Sequence, residues 1–198
     1  MSASIPATPA PAAVLANPAV VGLGAFGLTT LMLQFHNLGW VGLAPIIWLG
    51  FIFGGGVQMF AGLQEQKMGN NFGYAAFSSY GAFWISLCAY LLGSTSGIKM
   101  LALNENDLGW LLLGWALFSV GLWFASLWVS KAMFLTFTTL MVGFVGLVLV
   151  NWGHPELKSF AAWDLIVCAL LAWYMMAHII LRGLSGRDLL PVGKPFCG

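Results

Sequence analysis

Three observations predict an all-α integral membrane protein, a bundle of six transmembrane helices. Of 198 residues only 7 are Lys or Arg and 6 are Asp or Glu, where a soluble domain of this length would carry roughly a quarter charged, about fifty. Hydrophobic residues make up 60% and the mean hydropathy is +0.91. The few charges also punctuate long neutral stretches: none occurs before Glu65, and none in 68–98, 108–130 or 132–155. A surface this poor in charge would self-associate in water, which excludes a cytosolic enzyme. A nucleic-acid binder is excluded as well, because no basic patch exists to meet phosphates.

The elements follow in order. Residues 1–16 are an Ala/Pro/Ser tail, with Pro6, Pro9 and Pro11, and are expected to be extended and disordered. The tail lacks the basic start and apolar core of a cleavable signal. A crossing needs ~20 apolar residues for ~30 Å of hydrocarbon, so the uncharged run before Glu65 holds two spans, 18–36 and 40–63, broken at His36-Asn37-Leu38-Gly39. Spans 71–93, 108–129, 131–152 and 160–181 occupy the later stretches, completing a membrane domain over 17–182 with a tail over 183–198. Each must be a helix, since a lipid-exposed segment has to satisfy its own backbone hydrogen bonds. The short alternating segments of a barrel are missing.

Orientation follows from the basic residues. With six spans both termini share one side, which collects Lys67, Lys131, Arg182, Arg187 and Lys194 against Lys99 and Lys158 opposite. The positive-inside rule puts both termini in the cytoplasm. Trp40, Trp110, Trp152 and Trp163 fall near span ends on the far side and Trp128 near the cytoplasmic one, as expected of aromatic belts. Gly50 and Gly54 form a small-xxx-small pair suited to close helix contact, within or between subunits. Cys88, Cys168 and Cys197 are expected to be reduced.

Asn17-Pro18 is the sharpest local feature. Asn is a strong N-cap and Pro suits the first helical position, so helix one starts here, its free N–H groups and positive dipole end suited to a carboxylate. Polar residues then recur on several helices: Thr29, Thr30, Gln34, His36 and Asn37 at the first, Gln58 on the second, Ser78, Ser79 and Tyr80 on the third, Thr136, Thr138 and Thr139 on the fifth. Neutral donors interleaved with aromatics suit a narrow path, and Ser and Thr equally suit interhelical bonding. No Lys or Arg lies near the centre of a span. Desolvating a bare charge costs several kcal/mol even after relaxation, so a small weak acid, moving with or without a proton, or a small neutral solute fits best. Asp164 and His178 in span six are candidates for proton handling by their intramembrane position, or reach water at the helix ends. His36 and His178 lie at opposite faces and cannot share a haem, and no Cys/His spacing suggests a metal. No cofactor and no catalysis are expected. Asn17-Pro18-Ala19 stands alone, whereas an aquaporin needs two such motifs.

The run Asn17-Pro18-Ala19-Val20-Val21-Gly22-Leu23, with Phe26-Gly27 and Thr29-Thr30, resembles the signature of the acetate uptake transporter family. His36-Asn37, Gln58, Phe60-Ala61-Gly62, Glu65, Gly69-Asn70, Phe72-Gly73, Ser79-Tyr80-Gly81, Phe83-Trp84, Gly186-Arg187 and Leu190-Pro191-Val192-Gly193 continue the likeness in order over about 17–193. The resemblance implies a six-helix protomer, one pore in each, assembled as a homohexamer. It implies transport of acetate, and of other short carboxylates such as succinate, through a constriction of Phe26, Tyr80 and Leu140. Substrate contacts are expected from Asn17, Thr29, Thr30, His36, Asn37, Gln58, Ser79, Thr136 and Thr139. Val20-Val21 replaces the family's usual Pro-Leu, and Asp164 and His178 match nothing in it. Two alternatives stay open: an ammonia or water pathway, and a non-transporting scaffold or sensor whose basic tail meets lipid or protein.

Overall fold

The computed structural model describes residues 15–95, 97–98 and 104–198. The tail expected over 1–16 lies almost wholly outside the described residues, as does Lys99 of the charge count. Among the described residues six helices are long and apolar enough to cross a bilayer: α1 (Ala19–Asn37), α2 (Leu43–Lys67), α3 (Asn71–Gly93), α4 (Glu105–Trp128), α5 (Lys131–Asn151) and α6 (Pro155–Ser185). No strand occurs among the described residues. The chain is an all-α, multi-pass integral membrane protein.

The helix ends have local causes. At the start of α1 the Asn17 side-chain oxygen accepts from the Ala19 N–H at 2.9 Å, and Pro18 is already helical at φ −65°, ψ −23°. α2 continues to Lys67 rather than stopping at 63, because Gln64-Glu65-Gln66-Lys67 are all good helix formers whatever their charge. It ends where Gly69 turns left-handed at φ +74° and the Asn70 N–H donates back to the Glu65 carbonyl at 3.0 Å. α4 begins at Glu105, three residues before 108. There Asn104 caps the Asn106 N–H at 3.0 Å, and Glu105 and Asp107 sit in the first turn, where the dipole favours them. α6 runs four residues past 181 to Ser185, and Gly186 is another left-handed terminator at φ +68°.

The six helices form a ring: α1 packs on α2 and α6, and α2–α3, α4–α5 and α5–α6 are extensive neighbours, with α3–α4 the sparest seam. The Gly50/Gly54 pair makes close contacts inside the chain. A β-carbon on Gly50 would collide with Cys88 of α3, and one on Gly54 with Thr29 of α1 at 2.5 Å. The same stretch, Gly50–Val57, is a π-helical segment, which the sequence periodicity did not indicate. Gly55 lies over the Gly50 carbonyl, 2.6 Å from where a β-carbon would be. At one end of the ring Trp40 meets Trp163 edge-on at 5.8 Å and Trp110 meets Trp152 at 4.9 Å, exposed as a headgroup belt requires.

Candidate functional site

Two cavities lie along the bundle axis. The larger is about 300 Å³, at the end where α1, α3 and α5 begin. The smaller is about 40 Å³, on the way to the tryptophan-rich end, against the ~10–15 Å³ that one water requires. Phe26, Tyr80 and Leu140 line both, and no other residue is common to the two linings. All three are buried. The Phe26 and Tyr80 rings are 5.9 Å apart, and Phe137 backs Tyr80 at 6.2 Å. The Tyr80 hydroxyl donates to Ser119 Oγ at 2.8 Å, and Ser119 donates to the Trp115 carbonyl at 2.7 Å. That chain of bonds fixes the ring's tilt and turns its polar end toward α4.

Three helix N-termini converge on the larger cavity. Asn17 and Ala19 bring that of α1, Asn70 and Gly73 that of α3, and Ser130 and Met133 that of α5. Asn70 accepts from the Gly73 N–H at 3.1 Å and Ser130 Oγ from the Met133 N–H at 3.1 Å, so each helix is capped at the wall of the same space. Converging dipole ends create a positive potential without any fixed cation. Gln58, Thr136 and His178 add to the polar lining. Gln58 is 0% exposed and both of its amide atoms lack a partner, a cost that a visiting hydrogen-bonding solute would remove.

The remaining site candidates lie elsewhere. Thr30 lines the smaller cavity, with Gln34 beside it. Thr29, Ser79, Thr139, His36 and Asn37 line neither. Thr29 faces Gly54 and donates to the Ala25 carbonyl at 2.8 Å. Thr139 donates to the Leu135 and Thr136 carbonyls, both at 3.0 Å. His36 Nδ1 donates to the Val41 carbonyl at 3.0 Å, closing the α1–α2 turn. Asn37 donates to Gln34 at 2.9 Å and so touches the smaller cavity through that residue alone. Ser79 is half-buried beside Tyr80, on a face turned from both spaces.

Sequence reasoning passed over Asn70, Ser130 and Phe137 as lining residues. The two caps were legible as Asn and Ser placed before helical runs, and Phe137 by its place one turn from Leu140. His178 lines the larger cavity. Its Nδ1 donates to the Leu190 carbonyl at 2.6 Å and its Nε2 is 4.0 Å from Asp188, which pairs with Arg182 at 3.2 Å. Asp164 is half-buried, two turns inside α6; its Oδ2 is buried without a hydrogen-bond partner and the residue lines neither cavity. The C-terminal segment packs against the larger cavity's end of the bundle. Val192 lines the larger cavity and accepts from the Ala132 N–H at 2.9 Å, and Tyr174 donates to the Pro191 carbonyl at 2.9 Å.

Proteins similar to this chain include transporters and a channel. The chain is 40% identical over 182 residues, 91% of its length and 96% of the other protein's, to the succinate-acetate/proton symporter SatP of Escherichia coli K12. It is 33% identical over 195 residues to acetate permease A of Emericella nidulans, covering 89% of this chain and 65% of that one. With ammonia transport outward protein 2 of Saccharomyces cerevisiae it shares 34% over 174 residues, 84% of this chain and 62% of the relative. The solved structure of the bacterial acetate channel SatP superposes with a TM-score of 0.87 at 39% identity, over 91% of this chain and all of that one. The family model of the GPR1/FUN34/yaaH proteins matches residues 2–185, and the chain belongs to that family.

Proposed function

We propose that this protein conducts acetate, and other short carboxylates such as succinate, across the membrane through a pathway within each protomer. The observation that carries this reading is the pair of cavities sharing only Phe26, Tyr80 and Leu140 as their common wall. A carboxylate enters the larger vestibule, drawn by the three helix N-termini, and binds Gln58, Thr136 and Asn17 or Asn70. It then sheds water at the apolar partition and passes to Thr30 and Gln34 on the other side. Without a fixed cation the pathway disfavours large polyanions, whose desolvation nothing repays, and succinate fits it best with one carboxyl protonated. Similarity to a succinate-acetate/proton symporter and to an acetate channel supports the substrate class.

Both termini are assigned to the cytoplasm from the basic residues, which makes the larger cavity the inner vestibule, and six copies are expected to assemble. Labelled acetate uptake into proteoliposomes tests the function. Uptake above that of empty vesicles, reduced by unlabelled acetate but not by methylammonium, is expected. Uptake equal to that of empty vesicles rejects carboxylate transport, and inhibition by methylammonium alone favours the ammonia pathway suggested by the yeast relative.

A further inference from the structure

The carboxyl group of Glu65 has no part in the pathway described above, yet it is 2% exposed. Its Oε2 accepts one bond, from Asn70 Nδ2 at 2.7 Å, and its Oε1 is buried with no partner. The Ala19 amide faces the same group, and a β-carbon on Gly73 would lie 2.8 Å from Oε2. Ala19, Asn70 and Gly73 all line the larger cavity. Glu65 therefore sits one residue behind the vestibule wall. Asn70, which touches it, is exposed, so protons have a short route from water.

Beyond the Asn70 bond and the amide ends of α1 and α3, no charged side chain on the neighbouring helices compensates a negative charge there. α1 and α3, the helices packed against this part of α2, contain no Asp, Glu, Lys or Arg. Their ionisable groups are His36, at the far end of α1, and Tyr74, Tyr80, Cys88 and Tyr90 on α3. Across the cavity stand only His178 of α6 and Tyr80, the former tied to Leu190 and the latter to Ser119. Lys67, two residues along α2, is exposed. An incoming carboxylate and an ionised Glu65 would thus be two like charges on either side of one vestibule wall, an arrangement that favours protonation of one of them.

We propose that Glu65 takes up the proton that accompanies carboxylate entry, so that occupancy of the vestibule by anion and by proton are mutually favourable. This rests on the carboxylate-transport reading and deepens it. The step is a simple protonation: the Glu65 carboxylate accepts one proton from the inner solution and returns it when the anion leaves. By linkage, whatever factor protonation adds to anion affinity, the anion adds to proton affinity.

The test is labelled acetate counterflow in proteoliposomes of the full chain at equal pH on both sides, from pH 5.5 to 8, after subtraction of protein-free vesicles. In the wild type the apparent KM for acetate should rise with pH, approaching ~10-fold per unit for one coupled proton. Glu65→Gln should transport with a KM that barely changes over the range, and Glu65→Asp should restore the slope. Asn70→Ala removes the bond donated to the charged carboxylate and should move the rise in KM to higher pH. Glu65→Gln keeping the wild-type slope, or Asn70→Ala leaving its position unchanged, overturns the assignment and leaves acetate transport standing. Absence of counterflow in the wild type overturns both.

Discussion

Gln58 carries the clearest residue-scale expectation. A buried amide with neither atom paired costs stability in the empty protein and recovers part of it when a carboxylate accepts from Gln58 Nε2, while Oε1 pairs only with a donor such as water or a protonated carboxyl. Gln58→Leu is therefore expected to raise KM for acetate about 10-fold, the loss of one hydrogen bond to a charged group, while the melting temperature holds or rises. Flux assays paired with thermal unfolding in detergent would check it; a lowered melting temperature with unchanged KM would make the amide structural. The residue type alone suggested a polar contact here, but its unpaired state was not legible, because pairing depends on which neighbours the fold supplies. The same limit applies to Thr29 and Thr139. A sequence shows hydroxyls on apolar helices without showing which turn back onto their own backbone, as both of these do.

At the scale of elements, α2 departs most from expectation. Composition marked Gly50 and Gly54 for close packing, and the contacts with Cys88 and Thr29 account for that choice. The π-helical segment over Gly50–Val57 left no trace in the apolar pattern, since a uniformly apolar run has no periodicity to shift. Gly54→Val should cost ~1–3 kcal/mol by overpacking against Thr29, read as a lower melting temperature, and Thr29→Ala in the same chain should recover part of it. The C-terminal segment is the second element whose role emerged only in three dimensions. Tyr174→Phe removes its bond to Pro191 and should cost ~1 kcal/mol at most. Faster cleavage of residues after Gly186 by a protease would report the loosened strap, and an unaltered cleavage rate would show that the Pro191 bond contributes little.

On the scale of the whole molecule, the number of crossings was legible from charge spacing, while their ends followed capping and left-handed glycines rather than charge. The convergence of three N-termini on one vestibule follows from topology: α1, α3 and α5 start on the same side because each crossing reverses direction. Only the Asn17-Pro18 start was visible beforehand as an anion site; Asn70 and Ser130 join it because the ring closes. The partition is the feature on which the account depends, and substrate selectivity probes it most directly. Competition of labelled acetate counterflow by unlabelled acetate, butyrate and succinate should be compared in wild type, Phe26→Ala and Leu140→Ala. Butyrate should compete weakly in the wild type and nearly as well as acetate in both variants, because a smaller side chain at the shared wall joins the two cavities. An unchanged order of the three competitors in both variants would contradict this.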